Sequence, residues 1–281
     1  MSILFVDQLT VIDCAVLDAR RGLVGESWIV DLELEGALDE QSMVLDFGEV
    51  KKRLKRAIDH SVDHCLLAPR RSPRLRIESQ AGLRVLHFEA ETGTYRHASP
   101  DCAVALIDAE AVAPDAVIGY LQPRLQTELP ASVRELRLHL RPESIDGPSY
   151  HYVHGLKKHR GACQRIAHGH RSRLEIRLDG HRQPEAEQQQ AAAWRDVYLA
   201  SRDDRLGESG GQVHLGYDAP EGRYELSLPA SRLDWLDGDS TVECIAEELH
   251  RRWRPQLAAG RLEIRAYEGV MKGAIARDDA R

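Results

Sequence analysis

The side chains best suited to chemistry lie in residues 150–180, YHYVHGLKKHRGACQRIAHGHRSRLEIRLDG, which hold His154, Cys163 and a His-x-His pair, His168 and His170. From His168 the residues alternate. His168, His170, Ser172, Leu174, Ile176 and Leu178 share one parity; Gly169, Arg171, Arg173, Glu175, Arg177 and Asp179 share the other. Period-two patterning of this length predicts a half-buried strand with a polar outer face. Both imidazoles then sit side by side on the inward face, whereas a helix would set positions i and i+2 far apart around its axis. Imidazoles on a buried face need partners, because an unpaired buried polar group is costly. Zinc is one such partner, taking histidine nitrogens readily and keeping a fourth position open where it is catalytic. Hydrogen bonding as core or cleft histidines is the other.

These residues need a scaffold, and 281 residues are enough for one large domain or two small ones with a sizeable core. A hydrophobic content of 42% and a charged content of 30% are those of an ordinary globular chain. The net charge of −7 argues against a general nucleic-acid binder, so the basic clusters at 51–56 and 70–76 read as solvated surface. No apolar run approaches 18 residues and the N-terminus lacks a basic region followed by an apolar one, which predicts a cytoplasmic protein without a membrane partner. Five scattered cysteines fit reduced thiols better than a disulfide framework.

The chain repeats itself. Residues 24–36, VGESWIVDLELEG, carry the alternation of HGHRSRLEIRLDG; laid over it without gaps, Val24 stands for His168 and Glu26 for His170. The first copy keeps the strand and loses the histidines. Residues 91–121 likewise parallel 219–249, each reading as a hairpin with a Gly turn, a short strand, a loop and a helix. Pro114-Asp115 and Ser240-Thr241 with Glu243 mark the two helix starts. A strand follows each helix, at 135–143 and 261–269. Two units are therefore expected, 1–146 and 147–281, divided at the Asp146-Gly147-Pro148 turn. Between strand and repeat, residues 42–67 predict a short strand and an amphipathic helix on Val50, Leu54 and Ile58. Residues 184–206 predict a helix whose Gln-Ala run is surface.

The 150–180 stretch resembles the zinc motif of the 6-pyruvoyl- and 6-carboxy-tetrahydropterin synthase family. That motif has an aromatic four residues before a first His, then a Cys, then His-Gly-His at the head of a strand. Tyr150 and His154 match the first part, and Cys163 precedes His168-Gly169-His170 after a loop somewhat shorter than is usual. In the first half, Met43, Val44, Asp46 and Phe47 match the family's Gly-Met-Val-x-Asp-Phe, with Ser42 for the Gly. Asp63, His64 and Leu67 match its Leu-Asp-His-x-x-Leu, with Val62 for the leading Leu. The resemblance thus covers most of the chain as two complementary half-matches.

What the resemblance implies is specific. The fold would be α+β, a tandem tunnelling fold of antiparallel sheets with helices on one face, assembling into a barrel. Paired units cannot complete the family's three-unit ring, so a four-unit ring made by a homodimer, or a dimer of dimers, is expected. Zn2+ would be held by His154, His168 and His170. Cys163 would move a proton on the substrate side chain, Asp63 would orient His64 as a second acid/base, and Glu268 would hold the pterin ring. Ser240 and Thr241 match a segment lining the pterin pocket, although a helix cap explains them equally well. Lys157, Lys158, Arg160 and Arg165 would meet a triphosphate or form a basic surface loop. Because sites in the family form where subunits meet, one composite site built from both halves is expected, within or between chains. The implied activity is that of a carbon–oxygen lyase acting on 7,8-dihydroneopterin triphosphate, giving a 6-pyruvoyl or 6-carboxy pterin. A rival reading is a non-catalytic zinc-binding protein of this fold that binds a pterin or purine-like ligand, which the degenerate first half keeps open. A third is a lyase making 6-hydroxymethyl-dihydropterin, against which the retention of Cys163 argues. His151, His159, His214 and His250 fall outside the motifs and stay unassigned.

Overall fold

Long alternating runs make this a chain of strands with four helices, in a computed structural model that describes residues 2–279 apart from 39 and 41. β1 (Ser2–Asp18) and β2 (Gly22–Gly36) form a long antiparallel hairpin. Then come α1 (Phe47–Ser61), β3 (Leu66–Pro69), a meander of β4 (Leu75–Gln80), β5 (Leu83–Ala90) and β6 (Gly93–Ser99), β7 (Val104–Ile107), α2 (Pro114–Gln126) and β8 (Val133–Arg141). The order then returns. The hairpin is β9 (Ser149–His154) and β10 (His168–Leu178), extended by the two-residue β11 (His181–Arg182) and followed by α3 (Pro184–Ala193) and β12 (Val197–Ser201). The meander is β13 (Arg205–Ser209), β14 (Gln212–Ala219) and β15 (Gly222–Pro229), and β16 (Leu233–Leu236), α4 (Val242–Trp253) and β17 (Leu262–Tyr267) follow. A last strand, β18 (Gly273–Arg277), pairs with β17 and has no counterpart beside β8 among the described residues.

Each half lays two helices on its own sheet. The orders are β7-β3-β1-β2-β8 and β16-β12-β9-β10-β17-β18, with β11 beside β10. The third sheet, β13-β14-β15-β6-β5-β4, takes three strands from each half and is sewn together where β15 pairs with β6. α1 turns Val50, Leu54 and Ile58 into the first core, as their spacing predicts. The segment before it is not a strand. Asp46 instead caps α1 by accepting from Gly48 N, and Val44 and Leu45 are buried against the helical layer. The Gln-Ala helix α3 is not simply surface either. Glu187 and Gln190 are buried, Glu187 accepting from Ile176 N and both guanidinium arms of Arg182, Gln190 from the Trp253 indole. A helix this poor in large apolar residues is anchored by polar groups that all find partners.

The two hairpins cross face to face at equivalent glycines. Gly25 of β2 lies against Gly169 of β10, where a Cβ on Gly169 would sit 2.6 Å from Gly25 Cα. A Cβ on Gly25 would overlap the Tyr152 carbonyl oxygen and lie 2.5 Å from His170 N. His151 Nδ1 donates to Gly25 O at 2.7 Å and Arg171 N to Ser27 Oγ at 3.1 Å, so the crossing is bonded on both sides. This backbone approach brings residues of the first half to the ligand strand of the second. A Gly25→Ala substitution is expected to destabilise the protein by about 3 kcal/mol or more, since no flexible side chain can yield there. Urea titration checks this; a change within about 0.5 kcal/mol would mean the hairpins do not cross at this point.

Candidate functional site

β9 and β10 supply three histidines because their register sets His154 opposite His168 at the loop end of the hairpin, with His170 two residues further along β10. All three are at most 1% exposed. Each Nδ1 faces an oxygen. His154 Nδ1 bonds the Ser240 carbonyl at 2.8 Å and His168 Nδ1 the Arg165 carbonyl at 3.0 Å. His170 Nδ1 lies 3.1 Å from Asp13 Oδ1, with its N–H directed off the line to that oxygen. Donation through Nδ1 leaves Nε2 as a lone pair pointing inward, the tautomer a metal ligand needs. His154 Nε2 and His170 Nε2 face each other at 3.1 Å, a distance that either a proton shared between them or a metal bound by both accommodates. It is close to the edge of about 3.3 Å that nitrogens make around a tetrahedral zinc. Burial, then the crowding of neighbouring imidazoles, holds His154 and His168 well below the ordinary histidine range, as neutral bases. One ligand atom from each of the three lies within 4.8 Å of the others, so the trio could hold a divalent metal.

A second trio shares His168. Cys163 Sγ, His64 and His168 also offer ligand atoms within 4.8 Å of one another. His64 comes from the first half. It follows α1 with φ +53°, left-handed and costly for a non-glycine residue. Its N donates to Asp13 O at 2.7 Å, and Asp63 Oδ1 accepts from Asp13 N at 2.8 Å. Asp63 Oδ2 meets His64 Nδ1 at 2.8 Å, which leaves the far side of the ring for Cys163 and His168. Burial works to lower the His64 pKa, but the Asp63 carboxylate and Cys163 outweigh it and raise it to about 10. The Asp-His pair and the Cys/His-Gly-His motif thus meet within one chain.

Asp13 is the residue that sequence reasoning missed. It joins the pieces: its backbone carries Asp63 and His64, while its carboxylate meets His170, Ser27 Oγ at 2.5 Å and Lys272 Nζ at 3.4 Å. Burial alone would push its carboxyl up, but His170, Lys272 and Ser27 hold it well below the usual carboxylate range. The available signal was an acid inside the apolar run of β1, TVIDCAVLD.

The other expected residues separate. Glu268 stands at the site's rim, its Oε2 3.7 Å from Lys272. Ser240 supports His154 through its carbonyl at 2.8 Å and its hydroxyl at 3.2 Å. Thr241 caps α4, accepting from Cys244 N. The basic loop is not a free phosphate grip: Lys157 is paired with Asp204, Lys158 with Asp239 and Arg165 with Glu221. Of the unassigned histidines, His214 lies between Ser209 and Ser227 and His250 sits 3.0 Å from Asp278.

Residues 18–139 match the family model of 6-pyruvoyl tetrahydropterin synthase. The synthase from Plasmodium falciparum is a structural neighbour at 18% identity, over 50% of this chain and 90% of that one, with a TM-score of 0.42. The Plasmodium vivax synthase aligns over the same shares at 22% identity and a TM-score of 0.36, and a catalytic residue mutant of it at 21% and 0.37. No curated protein matches the chain. The family's α+β tunnelling fold is the fold described above.

The first half's own counterpart of the histidine centre can be read from strand registers. β1–β2 pairs Val16 with Val24 and Cys14 with Glu26, where β9–β10 pairs His154 with His168 and Tyr152 with His170. The parallel neighbours β3 and β12 likewise put Asp196 in the place of His64, and Asp196 repeats its left-handed backbone at φ +56°. Two histidines have become buried valines and two have become acids. Arg21 fills the gap, bonding Asp196 at 2.5 and 3.1 Å and reaching Glu26 at 3.4 Å. Burial pushes the Glu26 carboxyl up to about 7 against the pull of Arg21 and Arg171. A guanidinium thus takes the place of a bound cation and ties the halves together. Arg21→Ala leaves Asp196 buried without its partner, and is expected to cost about 1–3 kcal/mol, at the lower end because Arg21 is partly exposed. Thermal melting reads this; an unchanged melting temperature would remove the tie.

Proposed function

We propose that the chain is a zinc-dependent pterin lyase acting on 7,8-dihydroneopterin triphosphate, giving a 6-pyruvoyl or 6-carboxy pterin. The observation that carries the reading is the joining, through His168, of a buried three-histidine trio to Cys163 and the Asp63–His64 pair. The family of residues 18–139 supports the pterin chemistry.

His154, His168 and His170 would hold the zinc, and Asp13 and Ser240 would fix two of the rings. Zinc, when bound, supplies Lewis-acid polarisation of the substrate's side-chain hydroxyl groups. Cys163 takes a proton from the side-chain carbon on the other flank of His168. His64, held by Asp63, passes a second proton, and departure of the triphosphate completes the elimination. Glu268 accepts the two donors of the amino-pyrimidinone edge. The peptide around Thr241 closes the ring pocket. No helix among the described residues is long and apolar enough to cross a membrane. We place the protein in the cytoplasm, with no nucleic-acid partner, as a homodimer or dimer of dimers closing a four-unit ring. The outer edge of β8, which has no neighbouring strand among the described residues, supports that assembly.

Incubation of zinc-loaded protein with 7,8-dihydroneopterin triphosphate, read by mass spectrometry, is expected to give a pyruvoyl or carboxy pterin. Unchanged substrate with zinc bound would move the reading to a non-catalytic binder. Cys163→Ala is expected to keep zinc and lose at least about 100-fold in turnover. Because His64 and Cys163 meet within one chain, mixing His64→Ala with Cys163→Ala protein is expected to recover no activity; recovery would place the pair across chains. Asp13→Asn weakens the support of His170, and a chelator competition is expected to show zinc held about 10-fold or more less tightly. An unaltered affinity would remove Asp13 from the centre.

A further inference from the structure

Lys272 occupies a position that neither the metal trio nor the acid–base pair uses. β18 exists only in the second half, and its pairing with β17 at Tyr267–Gly273 forces residues 268–272 into a tight turn. Glu268 N donates to Lys272 O at 3.0 Å, Gly269 stands at φ +67° and Met271 at φ +54°. The turn presses on the site. A Cβ on Gly269 would lie 2.5 Å from Asp13 Oδ1 and 2.9 Å from Ser27 Oγ, and Gly269 N donates to Ser172 Oγ at 3.0 Å. A left-handed, side-chain-free residue is what allows this approach. It delivers Lys272 Nζ to 3.4 Å from Asp13 Oδ2 and 3.7 Å from Glu268 Oε2, with the Lys272 side chain still 54% exposed.

Lys272 joins His170 and Ser27 in holding the Asp13 carboxylate ionised, but that contact at 3.4 Å engages only one side of an ammonium whose side chain is more than half in water. Its 3.7 Å to Glu268 Oε2 is an ion pair longer than a hydrogen bond, which leaves both groups with hydrogen-bonding capacity for a ligand. A 2-amino-4-oxo-pyrimidine edge shows two donors and then an acceptor, in a row. Glu268 can take the two donors with its two oxygens, and the ammonium, with three N–H groups, has one to give to the 4-oxo oxygen. Of the four basic residues of the ligand loop, Lys157, Lys158 and Arg165 are engaged elsewhere.

We infer that Lys272 is a specificity-determining residue of this site, donating to the 4-oxo oxygen of a 2-amino-4-oxo ring whose other two groups Glu268 accepts. The inference rests on the pterin reading above. A 2,4-diamino ring puts a donor against the ammonium, as well as an N3 lone pair against Glu268, and is rejected at both.

The test is calorimetric binding of 7,8-dihydrobiopterin and of its 2,4-diamino analogue to zinc-loaded protein. Wild type is expected to favour the 4-oxo ring by about 10- to 100-fold. Lys272→Met should shrink the preference at least several-fold, down to the share Glu268 sets through N3, and Lys272→Arg should restore part of it, with zinc content and melting temperature unchanged. A preference undiminished in Lys272→Met overturns the assignment alone. So does a loss of preference that comes with loss of zinc or of melting temperature and is not restored by arginine, which marks a structural role. Binding of neither ring by wild type overturns the pterin reading and the assignment with it.

Discussion

The backbone crossing of β2 over β10 at Gly25 and Gly169 is the contact on which the site depends. With no Cβ on either residue, the two hairpins approach closely enough for Ser27 to bond Arg171 N and for Asp13 to reach His170. Everything the first half contributes arrives along this route. Asp63 and His64 are hung from the Asp13 backbone, and Asp13 is positioned by the hairpin that crosses. A side chain at the crossing would separate the sheets, leave the buried His170 without Asp13 and draw His64 away from His168.

The two ends of the pseudo-symmetric arrangement solve one electrostatic problem in opposite ways. Carboxylates and imidazoles gathered in a dry interior need a cation or a proton. In the first half Arg21 supplies a permanent charge, and the pocket is closed by a side chain that cannot leave. In the second, neutral imidazoles, two of them with pinned Nδ1 atoms, face inward as a group that could take a cation. The acid and base even exchange strands: Asp13 faces His170 at one end, and His151 faces Glu26 at the other. The repeated sequence has thus kept the histidine cluster in one half and Asp63 and His64 in the other.

The third sheet explains why the halves cannot act apart. Its β6–β15 seam shares a core of Leu86, Phe88, Tyr95, Leu215, Leu226 and Leu228, and the ligand loop rests on the same layer. Tyr217 OH donates to Gln164 O and Tyr198 OH to Ile166 O, both at 2.9 Å, while Glu221 grips Arg165. The loop that carries Cys163 is therefore held by the meander as well as by its own strands. This is the rigid support that a site accurate to a fraction of an ångström requires.

Parity along a strand is a local property of the pleated backbone, and for that reason the sequence alone determined that His168 and His170 face inward, that 24–36 is their counterpart, and that α1 buries Val50, Leu54 and Ile58. The quoted motifs also named His64, Asp63 and Cys163 as a group. Local pattern misjudged 42–47, where Asp46 serves a helix end rather than a strand, and α3, whose polar residues are buried because distant backbone groups need them. It could not show that His64 meets Cys163 in the same chain, that Asp13 supports His170, or that Lys272 stands beside Glu268. The first two join residues far apart in sequence at the glycine crossing, where only the packing of one half against the other decides them, and the third is set by the backbone of the 268–272 turn.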